Sequence, residues 1–102
     1  MERRLELHAK LSALIGTDDV YFQPPESKKI SYPCIIYHLN DAMTTHANDD
    51  YYKVNKRYTV TYITRNPDND FVKQMLREFK YCSFDRWYAM DNLNHFVFDL
   101  YY

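Results

Sequence analysis

The sequence predicts an α+β domain: an antiparallel β-sheet of two hairpins with two helices packed on one face, in the order α-β-β-α-β-β. Three observations predict it. Two stretches repeat their apolar residues with a helical period. One long stretch between them alternates with period two. A 102-residue chain has the length of a single domain, residues 1–102.

Residues 2–15 read as the first helix. Leu7, Leu11, Leu14 and Ile15 share one face of a 3.6-residue repeat. Glu2, Arg3, Glu6 and Lys10 populate the other side. Gly16, the only glycine, stands where a C′ glycine closes a helix. Thr17 to Ser31 is a long connection with a short extended piece at Val20-Tyr21-Phe22 and a stiff Gln23-Pro24-Pro25. Tyr32-Pro33 introduces a first strand over Cys34–Leu39, apolar on both parities and therefore expected to be buried on both faces.

Asn40 to Tyr51 is polar and acidic and reads as a long hairpin loop. Tyr52 to Arg65 is the clearest strand. Val54, Tyr58, Val60 and Tyr62 share one parity; Lys53, Asn55, Arg57, Thr59, Thr61 and Arg65 share the other. Asn66-Pro67-Asp68 breaks it. Asp68 is the expected N-cap of a second helix, and Phe71, Val72, Met75, Leu76 and Phe79 trace its apolar face to about residue 80. Tyr81–Met90 and Leu93–Tyr102 read as a closing hairpin around an Asp91-Asn92 turn. Tyr58, Tyr62, Phe71, Phe79, Phe84, Phe96 and Phe98 are the expected aromatic core.

Composition excludes several classes. A hydrophobic share of 46% and a net charge of −1 are not those of a disordered chain. Thirteen basic against fourteen acidic residues leave no basic excess of the kind nucleic-acid binders carry. The apolar runs are far short of the ~20 residues that span a bilayer. No apolar h-region follows the charges of Met1–Glu6, so no secretory signal is expected. The two cysteines read as free thiols of a protein made in a reducing cytoplasm.

The search for chemistry yields no catalytic residue, no cofactor site and no metal site. Cys34 and His38 point the same way along one strand, but ~13 Å apart. A nucleophilic pair of Cys34 or Cys82 with His95 would need a reactive thiol, and both cysteines sit in apolar strands that raise a thiol pKa. One glycine cannot build a phosphate loop. Asp49-Asp50 and Asp68-Asn69-Asp70 lack the glycine and terminal glutamate of a calcium loop. Lys53, Lys56, Arg57 and Arg65 accompany Tyr58 and Tyr62, yet Arg57 and Arg65 occupy the opposite parity from those rings, so stacking and phosphate contact would fall on different faces.

What remains is aromatic surplus. The chain carries 11 Tyr, 6 Phe and 1 Trp, more than a small core needs. Tyr51-Tyr52, Tyr81, Tyr88 and Tyr101-Tyr102 are left over, and tyrosine favours protein interfaces. This pattern points to a subunit that associates with other subunits.

Several segments taken in order add a family resemblance. They are Val20-Tyr21-Phe22-Gln23-Pro24-Pro25-Glu26-Ser27, Tyr32-Pro33-Cys34-Ile35-Ile36-Tyr37, Lys56-Arg57-Tyr58-Thr59-Val60-Thr61, Asn66-Pro67-Asp68, Phe84-Asp85-Arg86-Trp87-Tyr88 and Asp91-Asn92-Leu93-Asn94-His95. This series, covering nearly the whole chain, resembles the small tail-terminator (tail-completion) proteins of long-tailed bacteriophages. The resemblance implies a non-enzymatic virion protein at the neck. It implies a homo-oligomeric ring, commonly a hexamer, at the head-proximal end of the tail tube. Its partners would be the tail tube protein and the head-completion (stopper) protein, with DNA only in passage through the lumen and no membrane. Candidate contact residues are Asp41, His46, Asp49, Asp50, Tyr51 and Tyr52 in the polar loop, Arg57 and Arg65 around the second strand, Asp85 and Arg86 in the third, and Tyr101 and Tyr102 at the end. Another neck component, such as a stopper or head–tail joining protein, and a small nucleic-acid-binding domain are the alternatives. Fold alone does not choose among neck positions.

Overall fold

The computed structural model describes residues 3–44 and 54–102. Among the described residues, two helices and five strands follow one another as α1 (Arg3–Ile15), β1 (Val20–Phe22), β2 (Cys34–Thr44), β3 (Val54–Thr64), α2 (Phe71–Glu78), β4 (Cys82–Met90) and β5 (Leu93–Tyr101). The strands form one sheet in the order β1-β2-β3-β5-β4. The α+β class and both hairpins are as the sequence predicts. The sheet is mixed, however, because β1 runs parallel to β2 while every other neighbour is antiparallel.

Register puts alternate residues of all strands on one face. Val20, Phe22, Ile35, Tyr37, Tyr58, Val60, Tyr62, Phe96, Phe98 and Leu100 face the helices. Leu7 and Leu11 of α1 and Phe71 and Met75 of α2 meet them in a single core. Tyr62 stacks on Phe71 with ring centroids 4.0 Å apart, and Phe71 meets Phe98 edge-on at 6.0 Å. Such aromatic pairs contribute about 0.5–1.5 kcal/mol each beyond area burial.

Gly16 closes α1 as its position predicts. Its φ is +79°, and its N–H donates to the Ser12 carbonyl at 2.8 Å. A single such bond at a left-handed residue is the αL cap. The start of α2 differs from expectation. The residue before the helix is Asp70, whose side chain makes no capping bond. Asp68 sits two residues earlier, in a turn held by asparagines. Asn66 Oδ1 accepts from the Asp68 N–H at 3.0 Å, and Asn69 Oδ1 accepts from the Phe71 N–H at 3.0 Å. Asparagine bonds its own backbone two residues on, so it competes with aspartate for this role. The helix ends at Glu78 because Phe79 is already extended.

The polar loop also begins later than predicted. Asn40 to Thr44 continue β2, paired with β3 as far as Thr44 opposite Val54. Backbone pairing holds Asp41 to Thr44 in the ladder, with an irregularity at Asn40 where the register shifts. The remainder of the expected loop, 45–51, lies outside the described residues. The β2–β3 ladder thus runs past the end of β5, whose last partner is Arg57 opposite Tyr101. At the other end of the sheet, Asp91 and Asn92 form a two-residue turn with φ of 56° and 62°. Positive φ at both positions is the type I′ geometry, reached here without glycine.

Candidate assembly surface

β4 is the edge of the sheet on the α2 side. Most of its side chains are exposed. Phe84 is 40% and Trp87 51% exposed on the helix side, Leu76 of α2 is exposed, and Tyr81 and Met90 are exposed on the opposite face. Phe84 was expected in the core. Its ring meets Phe98 edge-on at 5.5 Å, but an edge strand gives it a neighbour on one side only. Among the described residues, five of the seven exposed large hydrophobics lie on or next to β4 and on α2; the other two are Leu5 of α1 and Leu39 of β2. Exposed apolar edge strands are templates for pairing unless they are blunted.

A bulge shapes this edge. Phe84 pairs with Phe98 and Arg86 with Val97, so Asp85 is an inserted residue. The insertion leaves Phe84 and Trp87 both on the helix side, with Asp85 and Arg86 between them. Arg86 Nη1 donates to Asp85 Oδ2 at 2.8 Å, and both side chains are well exposed. An exposed pair of this kind contributes about 0–1 kcal/mol. Trp87 Nε1 donates to Asn94 Oδ1 at 3.2 Å, and Asn94 Nδ2 donates to the Thr64 carbonyl at 3.2 Å. Those two bonds tie the edge back to the end of β3.

The other expected contact residues fall in different places. Asp41, Arg57 and Tyr101 are brought together in one register row across β2, β3 and β5. Arg65 lies past the end of β3 with its guanidinium 5.8 Å from the Tyr32 ring centroid. Tyr102 is half-buried and binds within its own chain. Its hydroxyl donates to Glu6 Oε1 at 2.7 Å, its ring meets Phe79 edge-on, and its backbone pairs with Lys56. His46, Asp49, Asp50, Tyr51 and Tyr52 lie outside the described residues. The sequence reading names Tyr81 among its surplus tyrosines but misses Trp87, Met90 and Leu76 as exposed residues. The signal present in the sequence was an aromatic strand lacking clean alternation.

Two features bear on chemistry. Cys34, Ile63 and His95 share a register row, which places Cys34 two strands, about 10 Å, from His95. Burial pushes the Cys34 thiol up to about 12, with Asp19 adding to the rise, and the Cys82 thiol up to about 11. Neither geometry nor pKa makes a nucleophilic pair. Among the described residues, no group of three or more His, Cys, Asp or Glu is placed to hold a metal ion, and no helix is long and apolar enough to cross a membrane.

The second feature is a polar contact under α1. The Tyr37 hydroxyl lies 2.8 Å from His8 Nδ1, with the Arg4 charge acting on both groups. Burial lowers the His8 pKa, and the Arg4 charge lowers it further. Tyr37 itself has no exposed surface, so this small network anchors α1 to the centre of β2. Compared with protein-family models, with curated proteins and with solved structures, the chain matches none.

Proposed function

We propose that this protein is a structural subunit of a long-tailed phage. It forms a ring on the head-proximal end of the tail tube, ends tube polymerisation and joins the tail to the head-completion protein. The observation that carries a subunit role is the exposed aromatic edge, with Phe84, Trp87 and Met90 on one strand. An exposed apolar edge is a template for pairing, and an assembling subunit buries it. The position in the virion is supported by the ordered resemblance to tail terminators. Tube and stopper proteins are the partners, and the ring is hexameric on that resemblance.

Imaging tails produced without this protein tests the reading. Overlong tubes are the expected result. Tubes of normal length lacking heads would move the protein to the head side of the neck. Purified protein that is strictly monomeric, binds DNA tightly and never accompanies tails would sink the neck reading altogether.

A further inference from the structure

The sheet has two free edges among the described residues, β1 and β4. Following the pairings across the sheet, they run in opposite directions. A second copy placed alongside, with strands running the same way and helices on the same side, therefore sets its β1 antiparallel to this β4. That arrangement is head-to-tail, as a ring requires.

The backbone groups match. The Ile35 N–H donates to the Asp19 carbonyl and the Gln23 N–H to the Tyr37 carbonyl, each at 2.9 Å. Odd-numbered residues of this segment thus turn toward β2, and Phe22 turns its N–H and C=O away from it. On the other edge, the Tyr101 N–H donates to the Tyr81 carbonyl at 2.9 Å. Antiparallel pairs alternate between those that exchange bonds and those that do not. Counting on from Tyr81, Phe84 turns its N–H and C=O away from β5.

The side chains match in the same register. One row across the sheet runs Phe22, Tyr37, Val60, Phe98, Phe84. The next on the helix side runs from Val20 to Trp87, and the row between them, on the opposite face, from Tyr21 to Arg86. Continuing the rows into a second copy places apolar Phe84 and Trp87 against apolar Phe22 and Val20. It also places Arg86 against Tyr21, whose hydroxyl donates to Asp19 at 3.2 Å.

We propose that β4 of one subunit adds antiparallel to β1 of the next copy. Phe84 exchanges backbone bonds with the next copy's Phe22, and Arg86 leaves Asp85 for the next copy's Tyr21 and Asp19. The inference rests on the reading of the chain as a ring subunit and names the surface through which copies meet. The three-residue β1 offers few backbone bonds, so one contact is weak. Ring closure gives every subunit two contacts and raises the effective concentration of the last one.

Cross-linking tests the contact. Tyr21→Cys and Arg86→Cys are made separately, mixed and oxidised. In the proposed ladder these positions form a pair that exchanges no backbone bonds, where side chains stand closest. The expected result is a cross-linked dimer in the mixture well above either variant alone, and a ladder of species when both changes are in one chain. The unsubstituted protein reports any product of Cys34 and Cys82. Adding Trp87→Lys to the Arg86→Cys chain lowers the yield by about tenfold or more, with the circular dichroism unchanged. A mixture that cross-links no better than the single variants overturns the proposal. So does Arg86→Cys cross-linking to itself as well as to Tyr21→Cys, which would mean a two-fold contact. Tail imaging separates the two ideas. Overlong tubes without the cross-link keep the neck role and discard this contact; the cross-link with tails unaffected does the reverse.

Discussion

His8 and Cys34 show how burial of single polar groups sets pH behaviour. The folded His8 pKa lies below its ordinary value near 6.5, because burial and the neighbouring Arg4 disfavour the cation. The unfolded chain then binds the proton more readily than the folded one. Stability from this group is complete above about pH 6.5 and falls as pH drops below it. Denaturant midpoints measured between about pH 7 and pH 5 should decline for the parent protein and decline less for His8→Gln. Equal slopes would show that the ring is not desolvated. Cys34 works in the opposite direction on the pH scale. Its thiol is raised to about 12, so the folded state keeps a proton that the unfolded state releases from about pH 9 upward, and stability falls there. The same burial predicts that Cys34 reacts with a thiol reagent at neutral pH only when the protein unfolds. Prompt labelling of the native protein would contradict its placement.

At the level of elements, backbone conformation decides more than propensity. Gly16 has φ of +79° and nothing within 4 Å of an added Cβ. Gly16→Ala therefore meets no neighbour, and its cost is the left-handed conformation alone, about 1–2 kcal/mol, readable as a lowered melting temperature. A variant as stable as the parent would mean that the cap adapts. The helices, β3 and β5 were legible in the sequence because each carries a clean period, as in Tyr58-Val60-Tyr62 or Phe96-Phe98-Leu100. β1 was legible only as an extended piece. Three residues hold no pattern, and the strand exists because β2 offers it an edge. The continuation of β2 to Thr44 was hidden for a similar reason, since its pairing partner β3 lies elsewhere in the chain. The bulge at Asp85 was hidden because an inserted residue has no signature of its own. That insertion also blurred the alternation of β4, so Phe84 was read as core. Whether a strand lies at the centre or the edge of a sheet is a property of strand order, which no local window contains.

For the whole molecule, the exposed edge makes assembly measurable in the parent chain. Trp87 is the only tryptophan and is 51% exposed on β4. Monomeric protein should show emission readily quenched by acrylamide. Assembly through β4 should shield the indole and shift the emission to shorter wavelength. Emission indifferent to assembly would place the contact elsewhere. Of the surface candidates among the described residues, Asp41, Arg57 and Tyr101 share a register row and the others lie elsewhere. Tyr102 turns inward to Glu6, Asp85 and Arg86 pair with each other, and Phe84 and Trp87 share the helix side of the edge strand. Chemistry-bearing residue types were visible in the sequence, but which of them share an edge depended on the β3–β5 pairing that splits the second hairpin's order from that of the chain.

The two ends of the sheet are unlike. At one, the β2–β3 ladder runs on to Thr44 and Val54 beyond β5; at the other sits the tight Asp91–Asn92 turn. Copies joined with their strands pointing the same way would gather every long hairpin on one rim and every tight turn on the other. Such a collar has a top and a bottom. It would fit between two different neighbours in one orientation only, so the direction of the joint would be inherited from the direction of a strand.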